Sequence, residues 1–195
     1  MRVFINEREV EVGAFRGASI GEVVEAARMH VDPREIVTVI TLDGVDYNAG
    51  ADERYARRPA IGVTCMVIHT HTPAAFAAAK RQTLVSTLEE VAGRTRMVVE
   101  LLRRSDVRAA NGLLASLMEE LRLSMLLDYQ LALLASDAPS AARTEIADLA
   151  PALLDAEERR AWETLASLLD TRLAPILDQW ARATRNRVQA GGVAA

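Results

Sequence analysis

The dipeptide Thr72-Pro73 divides this chain into two kinds of sequence, and that division limits the folds open to it. Before it, apolar residues come in short β-branched runs broken by polar turns. After it, apolar residues recur at three- and four-residue spacing almost to the end of the chain. Alternation with period two makes half-buried strands, and a period near 3.6 makes amphipathic helices. The chain is therefore expected to be α+β. Residues 1–72 form a small head, 73–190 an antiparallel bundle of about four helices, and 191–195 a flexible tail.

Within the head, Val3 and Ile5 alternate with Arg2 and Phe4, as in a short strand. Asn6-Glu7-Arg8-Glu9 is polar and turn-like. Val10, Val12 and Ala14 then alternate with polar or small residues as the second arm of a hairpin. Ser19 with Glu22 three positions later has the spacing of a capping box. Ile20, Val23, Val24 and Ala27 keep a helical period from there, and Asp32-Pro33 ends it. Residues 36–42 are β-branched and read as a strand. Asp43-Gly44 is a tight-turn signal and residues 45–47 a short return strand. Residues 52–58 read as one helical turn ahead of Pro59, and residues 63–70 as the last strand.

This order of elements is similar to the β-grasp (ubiquitin-like) fold over the first 72 residues. Modifiers and sulfur carriers of that fold end in a free Gly-Gly just after the last strand. In this chain the last strand runs directly into a helix, and Gly191-Gly192 is followed by Val-Ala-Ala. Conjugation or sulfur transfer through the tail is not expected.

In the body, Thr72 is a good helix cap and Pro73 suits the first helical position. A long helix is expected to about Arg104, with Leu84, Leu88, Val91, Val98, Leu101 and Leu102 as its apolar stripe. Ser105-Asp106 is a turn and cap, and a second helix follows from about Val107 to Ala135. A third, shorter helix is read from Thr144 to about Leu154, with a break at Pro151. Asp155 is read as the cap of a last helix, Glu157 and Glu158 as its first turn, and Pro175 as the site of a kink.

Composition excludes several classes of function. Half the residues are hydrophobic but only 4% are aromatic, so the core is aliphatic and suits packed helices. A single cysteine, Cys65, allows neither an internal disulfide nor a thiolate zinc cluster, and fits a reducing compartment. The first residues turn polar too early for a signal peptide. The most apolar stretch, Leu113 to Leu134, is interrupted by Glu119, Glu120, Arg122 and Asp128, so no membrane span is expected and the cytoplasm is the expected location. Net charge is −4, with eight basic and 11 acidic residues up to Thr72. No part is a polycation, and nucleic acid is not an expected partner.

Chemistry-bearing motifs are sparse. The chain has no Gly-x-Ser-x-Gly and no glycine-rich phosphate loop. His69 and His71 share one face of the last strand with Cys65 in line, which is ligand-type chemistry. No third ligand is visible, and two histidines at a strand end are more often a polar rim or bonded to a neighbouring loop. No cofactor is expected.

The second body helix is the most informative segment. Leucines lie all round it, where a surface helix needs only one apolar stripe. It is either a central bundle helix, or part of its surface waits for a partner. Leu113, Leu117, Leu123, Leu127 and Leu131 are the candidate partner-binding residues, with Tyr129 at the rim of such a groove. The stretch from Arg104 to Leu114, Arg-Ser-Asp-Val-Arg-Ala-Ala-Asn-Gly-Leu-Leu, followed by Leu117-Met-Glu-Glu-Leu, resembles the flagellin export chaperone family over roughly 60 residues. That resemblance implies an antiparallel bundle that holds an aggregation-prone subunit by its helices. A non-enzymatic adaptor or chaperone-like module is the reading favoured by these residues, its partner another protein or a second copy of itself. The alternatives are a self-assembling structural component, or an enzyme or ligand binder with a pocket between head and body near His69, His71 and Tyr47.

Overall fold

The computed structural model describes residues 1–13, 17–47 and 53–191. Ala14, Asp52 and the tail from Gly192 lie outside them. The chain divides into two compact units, Met1–Ala75 and Phe76–Ala195.

The head is a five-stranded mixed sheet of order β2-β1-β5-β3-β4 with helix α1, Ile20–Arg28, on one face. Strands β1 (Arg2–Ile5) and β2 (Arg8–Val10) form the expected hairpin, with Ile5 opposite Arg8. Its turn holds Asn6 at φ 53°, a left-handed conformation that asparagine tolerates. Strand β5 (Cys65–His71) lies parallel to β1 and antiparallel to β3 (Ile36–Leu42). The two-residue turn Asp43-Gly44, both at positive φ, returns the chain into β4, Val45–Asp46. A single turn, α2 (Glu53–Ala56), precedes β5. The sheet is β-grasp-like. Its core forms because Val3, Ile5, Ile40, Leu42, Met66 and Ile68 share the face that meets Ile20, Val23, Val24 and Ala27 of α1.

Helix α1 starts where the capping box requires. The Ser19 hydroxyl accepts the Glu22 N–H, and the Glu22 carboxylate accepts the Ser19 N–H at 2.8 Å. It ends one turn earlier than Asp32-Pro33 suggests, because that pair builds its own turn. The Asp32 carboxylate accepts the Arg34 N–H at 2.8 Å, and its carbonyl accepts the Glu35 N–H.

The body is four helical rods: α3 (Pro73–Arg103), α4 (Val107–Ala135), α5 (Ala142–Glu158) and a last rod from Trp162 to Gly191. The last rod comprises α6 (Trp162–Leu168), a π turn (Leu169–Leu173) and α7 (Ala174–Gly191). One continuous core joins Leu84, Leu88 and Val98 to Leu117, Leu149, Leu169 and Trp180.

Two readings of the prolines and caps are corrected. Helix α5 runs through Pro151, which lies on the exposed side with Ala147, so the carbonyl that loses its partner is open to solvent. The break falls instead at Arg159–Ala161. Arg160 is left-handed at φ 54°, Ala161 N–H donates to Ala156 O at 2.8 Å, and Arg160 N–H to Glu157 O at 2.9 Å. This is a Schellman motif without glycine. Asp155, Glu157 and Glu158 thus close α5 and do not open the last rod. Ahead of Pro175, Ala174 N–H donates to Leu169 O across a widened turn. Such a turn takes up a proline ring that would press on the carbonyl four residues back.

Candidate functional site

Helix α4 is held at both ends and on both flanks, which fixes the side it turns outward. At its start the Asp106 carboxylate accepts the Ala109 N–H at 3.1 Å. At its end Ser136 is left-handed, and Asp137 N–H donates to Ala132 O at 2.8 Å. On one flank Glu120 pairs with Arg94 of α3, and Asp137 pairs with Arg81 of α3 at 2.5 Å. On the other, the buried Asp128 carboxylate accepts the Ser140 N–H at 3.0 Å, just before α5. The Arg143 guanidinium of α5 sits 4.8 Å from the Tyr129 ring centre, a cation–π contact.

The inner side carries Ala110, Leu114, Leu117, Leu121 and Leu131 into the core, with two polar residues among them. Ser124 returns its hydroxyl to the Glu120 carbonyl at 2.8 Å, which satisfies it inside the bundle. The outer side changes character along its length. Toward the start it is polar or small: Arg108, Asn111, Gly112, Ala115 and Glu119. Glu119 and Arg122 form a two-point pair at 2.9 and 2.7 Å. That pairing holds the Glu119 carboxyl below its ordinary range and the Arg122 guanidinium above its own. Past Arg122 the same side is mostly apolar, with the exposed Gln130 among its leucines. Leu123 is 48% exposed, Leu126 49%, Leu133 57% and Leu134 36%, with Tyr129 at 38%.

The six residues named from the sequence therefore separate. Leu117 and Leu131 are core residues, 0% and 2% exposed, which removes them from any outer surface. Leu113 and Leu127 are half-buried against the same core. Leu123 and Tyr129 lie on the outer side, where the structure adds Leu126 and Leu133. A signal for these two existed in the sequence. Steps of four and three taken onward from Glu119 and Arg122 lead to Leu126, Tyr129 and Leu133.

In the head, Cys65, His69 and His71 share the face of β5 opposite α1 as expected, and both histidines are exposed. Thr38 is the extra residue of a bulge in β3, and its hydroxyl donates to the His69 carbonyl at 3.1 Å. The same hydroxyl is 3.4 Å from His71 Nδ1. Among the described residues there is no group of three or more His, Cys, Asp or Glu that could hold a metal ion. Between the histidines, Thr70 faces inward. It exchanges two hydrogen bonds with Asn6, both 2.9 Å, and donates to Glu35 at 2.5 Å. Tyr47 belongs to the head core, 9% exposed, and burial pushes its phenol above the ordinary value. Asp43 accepts hydrogen bonds from three donors, chiefly the Thr64 hydroxyl, then the Thr64 and Cys65 N–H groups, and these hold its carboxyl below the ordinary range. Among the described residues no helix is long and apolar enough to cross a membrane.

Comparison with known proteins found no matching family model, no matching curated protein and no matching solved structure.

Proposed function

We propose that this chain is a non-enzymatic protein-binding module, an adaptor or chaperone-like protein, that works by burying apolar helix surface. The observation that carries the reading is the outer side of α4 from Leu123 to Leu134. It leaves four leucines and a tyrosine on one face of a helix whose core is already complete. Leucine on an exposed helix side adds little to the stability of the chain itself, and a contiguous apolar strip is the usual form of a helix-docking surface. The resemblance of this region to flagellin export chaperones supports the same mode, in which helix surface covers helix surface. The β-grasp reading of the head supports a second contact surface on the same chain.

The test is capture from the native host. Tagged chain is compared with its Leu126→Asp variant, and partners are identified by mass spectrometry. A defined partner held by the wild type and lost by the variant supports the reading. A variant that keeps every partner, with unchanged circular dichroism, removes α4 as the binding surface.

A further inference from the structure

The outer side of α4 is patterned along its whole length. Arg108, Ala115, Arg122 and Tyr129 form one series seven residues apart, and Gly112, Glu119, Leu126 and Leu133 a second. All eight are exposed. Together they advance in alternating steps of four and three, the spacing of a seam between two helices. Read in opposite directions, the two series match. Arg108 meets Leu133, Ala115 meets Leu126, Arg122 meets Glu119, and Tyr129 meets Gly112. Each small residue faces a large one, and Arg122 faces the oppositely charged Glu119. The Arg108 stem lies along leucine with its charge free to reach solvent. A parallel pairing sets Arg122 on Arg122 and Glu119 on Glu119, which like-charge repulsion disfavours.

Gly112 gives a second, separate argument. Glycine inside a helix costs about 1 kcal/mol relative to alanine. The fold of one chain offers no steric reason for it, since a Cβ at Gly112, as at Gly93 of α3, would meet nothing within 4 Å. An open site opposite an aromatic ring supplies that reason.

We infer that α4 packs antiparallel against α4 of a second copy, about a two-fold axis between Glu119 and Arg122. The inference rests on the reading of this side of α4 as a protein-binding surface, and it names the occupant. Each Arg122 keeps its own Glu119 and gains that of the second copy, so four charges alternate around the axis. The seam from Arg108 to Leu133 is about 37 Å long at the helical rise of 1.5 Å per residue. One helix face of that length falls below the roughly 800 Å² per partner of a standard interface, so the dimer exchanges with monomer.

Sedimentation equilibrium of the full chain across a concentration series tests this. Wild type is expected to show a monomer–dimer equilibrium. Glu119→Arg and Arg122→Glu each place like charges on both sides of the axis and weaken the dimer about tenfold or more. An equimolar mixture of those two variants restores opposite charges and associates within a few-fold of wild type. A wild type that stays monomeric, single variants that dimerise as well as wild type, or a mixture no stronger than its components overturns the inference. Loss of a host partner on Leu126→Asp, in a chain that is monomeric throughout, removes only the second copy as occupant and leaves the broader reading standing.

Discussion

Three bends in the body are made by single residues in the left-handed region: Ser105 at φ 61°, Ser136 at 56° and Arg160 at 54°. Each ends a helix, and none is glycine. That is why the boundary at Arg160 was not legible in the sequence, whereas Ser19 with Glu22 and Asp43-Gly44 were. A capping box or a two-residue turn announces itself by residue type; an arginine forced into a left-handed turn by the helices around it does not. The strain has a measurable consequence. A side chain in this region costs about 1–2 kcal/mol, partly offset by the greater freedom glycine has when unfolded. Arg160→Gly is expected to stabilise the chain by about 0.5–1 kcal/mol. A rise in the urea midpoint with unchanged slope checks it, and a midpoint that stays or falls contradicts the strain argument.

At the scale of elements, α3 and α4 were readable because their helical periods are long, and the strands of the head because short β-branched runs are bounded by polar turns. The phase of α4 was not. Leucines surround it, so periodicity named a helix without saying which side faces inward. The inner line carries polar Ser124 and Asp128, made tolerable by the Glu120 carbonyl and the Ser140 N–H, while Leu126 and Leu133 stand outside. Those polar partners are fixed by tertiary structure and leave no trace in the local pattern. The two sides predict opposite outcomes for one substitution. Leu117→Ala empties a fully buried site and is expected to cost about 2–5 kcal/mol. Leu126→Ala, measured in dilute protein, is expected to stay within about 0.5 kcal/mol. Chemical denaturation of both variants decides the assignment, and equal losses contradict the phase of α4 described above.

For the whole molecule, association and stability are linked. The seam on α4 exists only in the folded chain, so anything that occupies it draws the equilibrium toward the native state. If the occupant is a second copy, stability rises with the concentration of the protein itself. For a monomer–dimer equilibrium, raising the protein to a hundred times the dissociation constant adds about 1.5 kcal/mol per chain by mass action. In a chain of this size that shifts the melting temperature upward by about 3–6 °C. Leu126→Asp sets two carboxylates against apolar surface in the seam, so its melting temperature is expected to stay flat over the same range. The two slopes separate the contributions cleanly. Core packing sets the melting temperature at low concentration, where the two proteins should agree because Leu126 lies outside the core. The seam sets the divergence between them as concentration increases. Parallel curves for wild type and variant would mean that the exposed leucines of α4 do not meet a second copy.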